Sequence, residues 1–158
     1  MDSERPDSDS SIRIRILTAA DERRLAHIDQ RLTGRSRLEW YRRRLGRALA
    51  ESDVNVSLGA EVDGSLVGAL LCTVQYGEFG VAEPVAVLDT VIVDPGFQKQ
   101  GVGAALLDQL QKNLAGLRVE KVRTEVDWTE MALLAFLARS GFAPAARLVL
   151  EHRVASAS

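Results

Sequence analysis

The sequence predicts one α/β domain whose central sheet is mixed, mostly antiparallel and flanked by helices on both faces. Runs with the two-residue period of strands alternate with runs of helical period. The Asp63-Gly64 pair between two β-rich runs indicates a hairpin. The nearly continuous apolar run "PVAVLDTVIV" is typical of a central strand that is covered on both faces.

The first half of the chain is predicted to hold a strand and two helices before the hairpin. Residues 1–11 are polar and predict a flexible tail, so the folded domain is expected at 12–155. The alternation in "IRIRIL" predicts the first strand. Asp21 is the expected cap of a helix that runs to about Leu32, and a second helix carries Trp40 and ends near Ala50.

The second half is predicted to continue with a helix to about Ala115, a strand in "VEKVRTEVDW" and a helix in "MALLAFLARSGF". Gly141 is the expected left-handed end of that helix, and "ARLVLEHRV" is the expected last strand. The predicted order is therefore β-α-α-β-β-β-α-β-α-β.

Composition excludes several classes of function. The net charge of -2 gives no general attraction to nucleic acid or acidic membranes. His27 and His152 have no metal-ligand spacing, so no metal is expected, and Cys72 lies in an apolar run typical of a buried strand residue. With no apolar run of membrane-span length and no signal segment, we expect a soluble cytoplasmic protein.

Gly101 and Gly103 stand at the start of a predicted helix, where each costs about 1 kcal/mol relative to alanine. Bare backbone at a helix start presents N–H groups that bind an anion such as a pyrophosphate. Tight helix-to-strand packing is the alternative reason for the two glycines. Two nucleotide-binding motifs are excluded, because Leu106 replaces the third glycine of one and Val102 the lysine of the other.

The pattern V-x-P-x-x-Q-x-x-G-x-G, here Val93, Pro95, Gln98, Gly101 and Gly103, resembles the acetyl-CoA binding motif of the GCN5-related N-acetyltransferase (GNAT) family. The resemblance covers roughly Ile12 to Val154 and includes "FLARSGFAP". It implies a GNAT-like fold and acetyl-CoA as cosubstrate. The cofactor-binding residues that it implies are Val91, Ile92, Val93, Gln98, Lys99, Gln100, Gly101, Val102, Gly103, Ala104 and Phe136.

The resemblance also implies transfer of the acetyl group to a primary amine of a small molecule or protein, by direct attack in a ternary complex. The strand bearing Val91 is expected to separate from the next strand, and the N–H of Val91 or Ile92 to hold the oxyanion. A non-catalytic acetyl-CoA-binding or regulatory module is the alternative, and a protein-interaction domain is a third. A homodimer is compatible with the sequence.

The general base has several candidates. Asp89 is expected to share a strand face with Val91 and Val93, and a carboxylate in an apolar strand is costly unless it is hydrogen-bonded or functional. A catalytic and a structural role for Asp89 are equally favoured. The other candidate carboxylates are Glu78, Glu83, Glu125 and Asp127.

The general acid departs from the family pattern. Leu137 occupies the position where many relatives have a tyrosine, and Glu130 stands in place of a common asparagine. The thiolate then leaves without a protein acid, or Tyr76 or Tyr41 supplies the proton, or the chain binds the cofactor without efficient catalysis.

The acceptor is not identified by the sequence. From Asp21 to Glu51 there are nine arginines and five acidic residues. This surplus indicates either an anionic acceptor or a solvated helix face, and a solvated face is the more common meaning of a charge run.

Overall fold

The computed structural model describes residues 11–52, 54–77, 80 and 82–157. The chain divides into two compact units, of which one ends at Glu125 and the other begins at Val126. Nearly all of the predicted tail at 1–11 lies outside the described residues. None of the described helices is long and apolar enough to cross a membrane.

The first unit contains a five-stranded sheet in the order β1-β2-β3-β4-β5. The first four strands pair antiparallel, and β5 runs parallel to β4. The expected mixed, mostly antiparallel sheet is confirmed. Its strands are β1 Arg13–Ile16, β2 Leu58–Val62, β3 Ser65–Gln75, β4 Val85–Val93 and β5 Val122–Arg123.

The predicted hairpin joins β2 to β3 through two residues with positive φ, Asp63 at 50° and Gly64 at 78°. Two-residue hairpin turns need this left-handed backbone, because it matches the twist of the two strands. The local sequence therefore determines where the antiparallel pairing of β2 with β3 begins.

Helices lie on both faces of this sheet, as expected. Helices α1 (Glu22–Thr33) and α2 (Leu38–Glu51) share an apolar cluster with one face, which includes Leu25, Leu45 and Leu71. Helix α3 (Val102–Gly116) packs on the other face, where Gly68 of β3 lies against Val102 and Leu106.

The second unit contains α4, Met131–Arg139, and the chain leaves the helix through Gly141 at φ 95°. The prediction of a last strand in "ARLVLEHRV" is wrong, because residues 145–157 form no strand. The strand expected in "VEKVRTEVDW" is confirmed only at Val122–Arg123. Both runs have strand-forming residues, but a strand also needs a paired neighbour, which local sequence does not specify.

Substitutions of two glycines, one at the contact between β3 and α3 and one on the open surface of α2, are expected to have opposite effects on stability. A Cβ on Gly68 would lie 2.7 Å from Val102 Cγ1 and 3.2 Å from the carbonyl oxygen of Ile92, so Gly68→Ala should destabilise the fold by about 1–3 kcal/mol. Gly46→Ala, in open space on α2, should stabilise it by up to about 1 kcal/mol. Urea unfolding measures both, and a Gly68→Ala variant as stable as wild type would contradict the packing described.

Candidate active site

Strand β4 has an open edge over its second half. Strand β5 pairs with β4 at Ala86 and Val87, and the Thr124 hydroxyl then donates to the Leu88 carbonyl at 2.8 Å. Beyond Leu88 the described residues show no further ladder between these two strands. The main chain from Asp89 to Val93 can therefore pair with an extended, amide-containing ligand on the side away from β3.

Asp89 forms a β-bulge in β4. Leu71 of β3 pairs with Thr90 and Cys72 pairs with Leu88, which leaves Asp89 without an opposite residue. The extra residue reverses the alternation of the strand at this point. Val91 and Val93 consequently lie on the face covered by α3, since Val93 pairs with Gly68.

The Asp89 side chain reaches the opposite face, where it forms a two-point ion pair with Arg44 of α2. The expectation that Asp89 shares a face with Val91 and Val93 is wrong, because alternation does not reveal a one-residue bulge. The Asp89 carboxylate is also not enclosed by apolar groups, since a quarter of its side chain is exposed and the Thr90 hydroxyl donates to it at 3.0 Å. This ion pair raises the pKa of Arg44.

The segment after β4 leads directly into α3. Residues Pro95–Phe97 make a short 3-10 turn, and α3 begins at Val102 with Gly101 as its N-cap. Lys99 at φ 62° and Gly101 at φ 81° have left-handed backbone, which glycine adopts without strain. No side chain caps this helix start, so its first N–H groups remain available to an anion at the positive end of the helix dipole.

Asp94, which the sequence motif leaves unspecified, is fully buried at the end of β4. Its carboxylate accepts from the Gly96 N–H at 2.9 Å and from Arg31 Nη1 at 2.7 and 2.8 Å. Arg24 Nη2 lies 3.5 Å from the same carboxylate. Asp94 thus fixes the turn and attaches α1 to it. An Asp directly before Pro-Gly is a known turn signal and was the available sequence clue.

A second buried carboxylate joins α1 to α2. Asp29 accepts from Arg37 Nε at 2.7 Å, and this guanidinium lowers the Asp29 pKa. Burial raises the pKa of Tyr41, and the negative charge of Asp29 adds to that rise. Arg37 and Arg44 lie 5.0 and 5.9 Å from the ring centre of Trp40, which is 40% exposed. A series of contacts therefore connects Asp29 to Asp89 through Arg37, Trp40 and Arg44.

The two tyrosines expected as acids do not meet Asp89. Tyr41 is fully buried in the core. Tyr76 is exposed and follows Gln75, which pairs with Val85, so it lies about five strand positions, roughly 17 Å, from Asp89. Cys72 is buried as expected, and burial raises its thiol pKa to about 12.

The remaining candidates are spread over the chain. Glu78 lies outside the described residues, and Glu83 and Glu125 are exposed. In the second unit, Asp127 accepts from Thr129, which lowers the Asp127 pKa. Phe136 is half-buried on α4, and its neighbour Leu137 is buried.

The model of the acetyltransferase (GNAT) family matches residues 19–142, so the chain belongs to that family. A comparison with curated protein sequences gives no match.

Solved structures show the same fold. The ribosomal-protein-alanine N-acetyltransferase of Brucella melitensis biovar Abortus 2308 is 18% identical, with a TM-score of 0.70 over 91% of this chain and 100% of its own. The aminoglycoside N-acetyltransferase AAC(6')-Iy in complex with CoA is 17% identical, with a TM-score of 0.73 over 91% and 95%. A transcriptional regulator from Bacillus halodurans C-125 is 18% identical, with a TM-score of 0.72 over 91% and 100%.

The buried position of Asp94 predicts a stability effect. Asp94→Asn keeps an acceptor for the Gly96 N–H but removes the charge that holds two arginines, so we expect a loss of about 1–2 kcal/mol, reduced because Arg31 and Arg24 are partly exposed. Asp108→Asn is the matched control, since its carboxylate pairs with Lys112 at the surface. If urea unfolding gives the same small change for both, Asp94 does not hold the turn.

Proposed function

We propose that the chain transfers an acetyl group from acetyl-CoA to a primary amine by direct attack in a ternary complex. The observation that carries the proposal is the continuity of the open β4 edge with the left-handed turn and the uncapped start of α3. One end of this path suits an extended amide-containing arm, and the other suits a pyrophosphate.

The residues of this path fit the cosubstrate. Val91, Ile92 and Val93 provide main-chain groups for the pantetheine arm. Gln98, Lys99, Gln100, Gly101, Val102, Gly103 and Ala104 surround the helix start, and the turn from Gln98 to Gly101 is exposed. A Cβ built on Gly101 would lie more than 4 Å from every neighbouring atom that could crowd it. Glycine is therefore favoured at this position by the left-handed backbone and not by lack of space. Phe136 remains a proposed contact of the cofactor.

The chemistry requires one bond to form and one to break. The amine nitrogen attacks the thioester carbonyl carbon, and the C–S bond breaks as the tetrahedral intermediate collapses. The main-chain N–H of Val91 or Ile92 is the proposed donor to the oxyanion, and a base takes one proton from the amine.

The departing thiolate needs no protein acid in this proposal. Leu137 has no hydroxyl, and a thiol with a pKa near 8.5 leaves readily as its anion. The exposed position of Tyr76 weakens its case as the acid, although it stays a candidate.

Asp89 is our proposed proton acceptor, because its bulge lies where β4 and β5 separate. Both carboxylate oxygens bond to Arg44, so the amine must use their remaining lone pairs. A purely structural role for Asp89 predicts that replacing Asp89 or Arg44 lowers activity equally. A catalytic role predicts a larger loss when Asp89 is replaced. A variant at Arg44 is therefore the informative control.

Gly103→Val is expected to weaken CoA binding at least tenfold, which corresponds to about 1.4 kcal/mol, because a branched side chain would obstruct the pyrophosphate. Gly116→Val, in open space at the other end of α3, controls for the helix propensity of valine. Calorimetry with CoA gives both affinities. Equal binding by the two variants and wild type would exclude the proposed cofactor path.

The proposed function itself is tested by thiol release from acetyl-CoA with a panel of primary amines. Amine-dependent release and an N-acetylated product detected by mass spectrometry are expected. If CoA binds but no amine in the panel or in a metabolite extract is acetylated, the chain is a cofactor-binding module instead.

Asp89→Asn should lower turnover by about 10²-fold at neutral pH with the best amine of that panel, the usual scale for a positioned base. The deficit should shrink at high pH, where the amine loses its proton without help. Arg44→Gln should keep most of the activity, since it leaves the carboxylate in place. Equal, pH-independent losses in both variants would make the ion pair structural.

A further inference from the structure

Part of one face of the β3–β4 ladder is left uncovered. Two cross-strand pairs on this face have half-buried side chains, and their members are Thr73 with Val87 and Gln75 with Val85. The side chains that alternate with them on the opposite face are buried, namely Cys72, Val74, Ala86 and Leu88. The exposure is therefore confined to one face, and we name the four half-buried residues the β3–β4 floor.

The floor lies on the side of the sheet that α2 covers, next to Asp89. Leu71 belongs to the apolar cluster shared with α1 and α2, and alternation along β3 places Thr73 on the same face. Val87 stands two positions before Asp89 in β4, and the Asp89 side chain reaches this face to bond to Arg44. An acceptor whose amine meets Asp89 would therefore rest its body on the floor.

The carboxylates near Arg44 are already neutralised by arginine. Asp89 forms its two-point ion pair with Arg44, and Glu51 lies 3.5 Å from Arg47 Nε. Asp89 and, to a smaller extent, Glu51 raise the pKa of Arg44, so both negative charges are close to that guanidinium. Burial raises the pKa of the Cys72 thiol on the opposite face to about 12, so the thiol is uncharged at neutral pH. Neither carboxylate is left with an uncompensated charge.

The charged residues at the borders of the floor do not favour a cation at Asp89 either. Arg123 of β5 pairs with Val87, so this neighbour is positive, and it already has an interaction within the chain. Glu83 is exposed and precedes Val85, which is four strand positions or about 13 Å from Asp89. Glu83 is therefore too far along the chain to hold the charge of the reacting amine.

This balance of charge determines which form of an amine binds. An ammonium gains little from a carboxylate that a guanidinium already shares, and the guanidinium repels it. An anion gains equally little from guanidinium groups that are already paired. At pH 7 only about one in 10³ molecules of an amine with the pKa of lysine is neutral, and that fraction rises about tenfold for each unit by which the pKa is lower.

We propose that the acceptor is a monoamine of low basicity whose uncharged body lies on the β3–β4 floor. This inference rests on the proposed acetyl transfer and specifies its substrate class. The hydroxyl of Thr73 and the amide of Gln75 can bond to polar, uncharged groups of that body, and Val85 and Val87 offer apolar contact.

Three amines of equal chain length test the charge of the body. Propylamine should show a kcat/KM at least about tenfold higher than diaminopropane, which adds an ammonium, and β-alanine, which adds a carboxylate. Val87→Asp places a free carboxylate on the floor and should raise kcat/KM for the diamine at least about tenfold relative to propylamine. Val54→Asp, at an exposed valine outside the floor, is the matched control. A wild type that prefers the diamine or the amino acid would overturn the proposal.

Fluorination tests basicity with little change of shape. At pH 7, kcat/KM should rise at least about tenfold from ethylamine to difluoroethylamine, with monofluoroethylamine between them. Arg44→Gln leaves Asp89 able to hold an ammonium, so it should reduce this ratio, whereas Arg43→Gln at the exposed neighbouring position should not. A wild type that prefers ethylamine at pH 7 contradicts the assignment.

Methyl NMR of Val85 and Val87 in the CoA-bound protein gives a readout that does not depend on turnover. Propylamine should shift these signals at lower concentration than diaminopropane. If these shifts appear but no amine is acetylated, the proposed transfer fails while the binding preference stands. If amines are acetylated but the diamine shifts the signals at the lower concentration, or neither amine shifts them, the acceptor class proposed here is wrong.

Discussion

The buried carboxylate of Asp94 is the interaction on which the geometry of the site depends. It stands where β4 ends, and it bonds at once to the following turn and to two arginines of α1. A buried carboxylate is tolerated only when such donors surround it. The open strand edge, the turn and the start of α3 are consequently held in one arrangement before any ligand binds, which lowers the ordering cost of binding.

Arginine pairs with acidic residues fix the two helices of the first unit. At least six of the nine arginines between Asp21 and Glu51 form ion pairs, namely Arg24, Arg31, Arg37, Arg42, Arg44 and Arg47. Two of their partners, Asp89 and Asp94, lie outside that segment. These two partners account for part of the local surplus of positive charge.

Local sequence predicted those parts of the fold that depend on local chemistry. The left-handed Asp63-Gly64 turn, the helix end at Gly141 and the glycine at the start of α3 each follow from the backbone freedom of a few residues. The side of β4 on which Asp89 lies was not predictable, because a bulge depends on the register with β3. The role of Asp94 depends on arginines some 60 positions away. The strand expected in "ARLVLEHRV" does not form, because a strand needs a paired neighbour that local sequence does not specify.

The choice of arginine over lysine also determines how the helical framework responds to pH. Only Lys99, Lys112 and Lys121 are lysines among the 20 basic residues. Guanidinium groups stay charged at any pH at which the protein is folded, so the pairs with Asp29, Asp89 and Asp94 persist into the alkaline range. In acid the framework is weaker: the lowered pKa values of Asp21 and Asp29 stabilise the fold above the unfolded value near 3.8, and that contribution is lost as the pH falls through the folded values. The scaffold thus keeps its ion pairs under alkaline conditions in which free amines become nucleophilic.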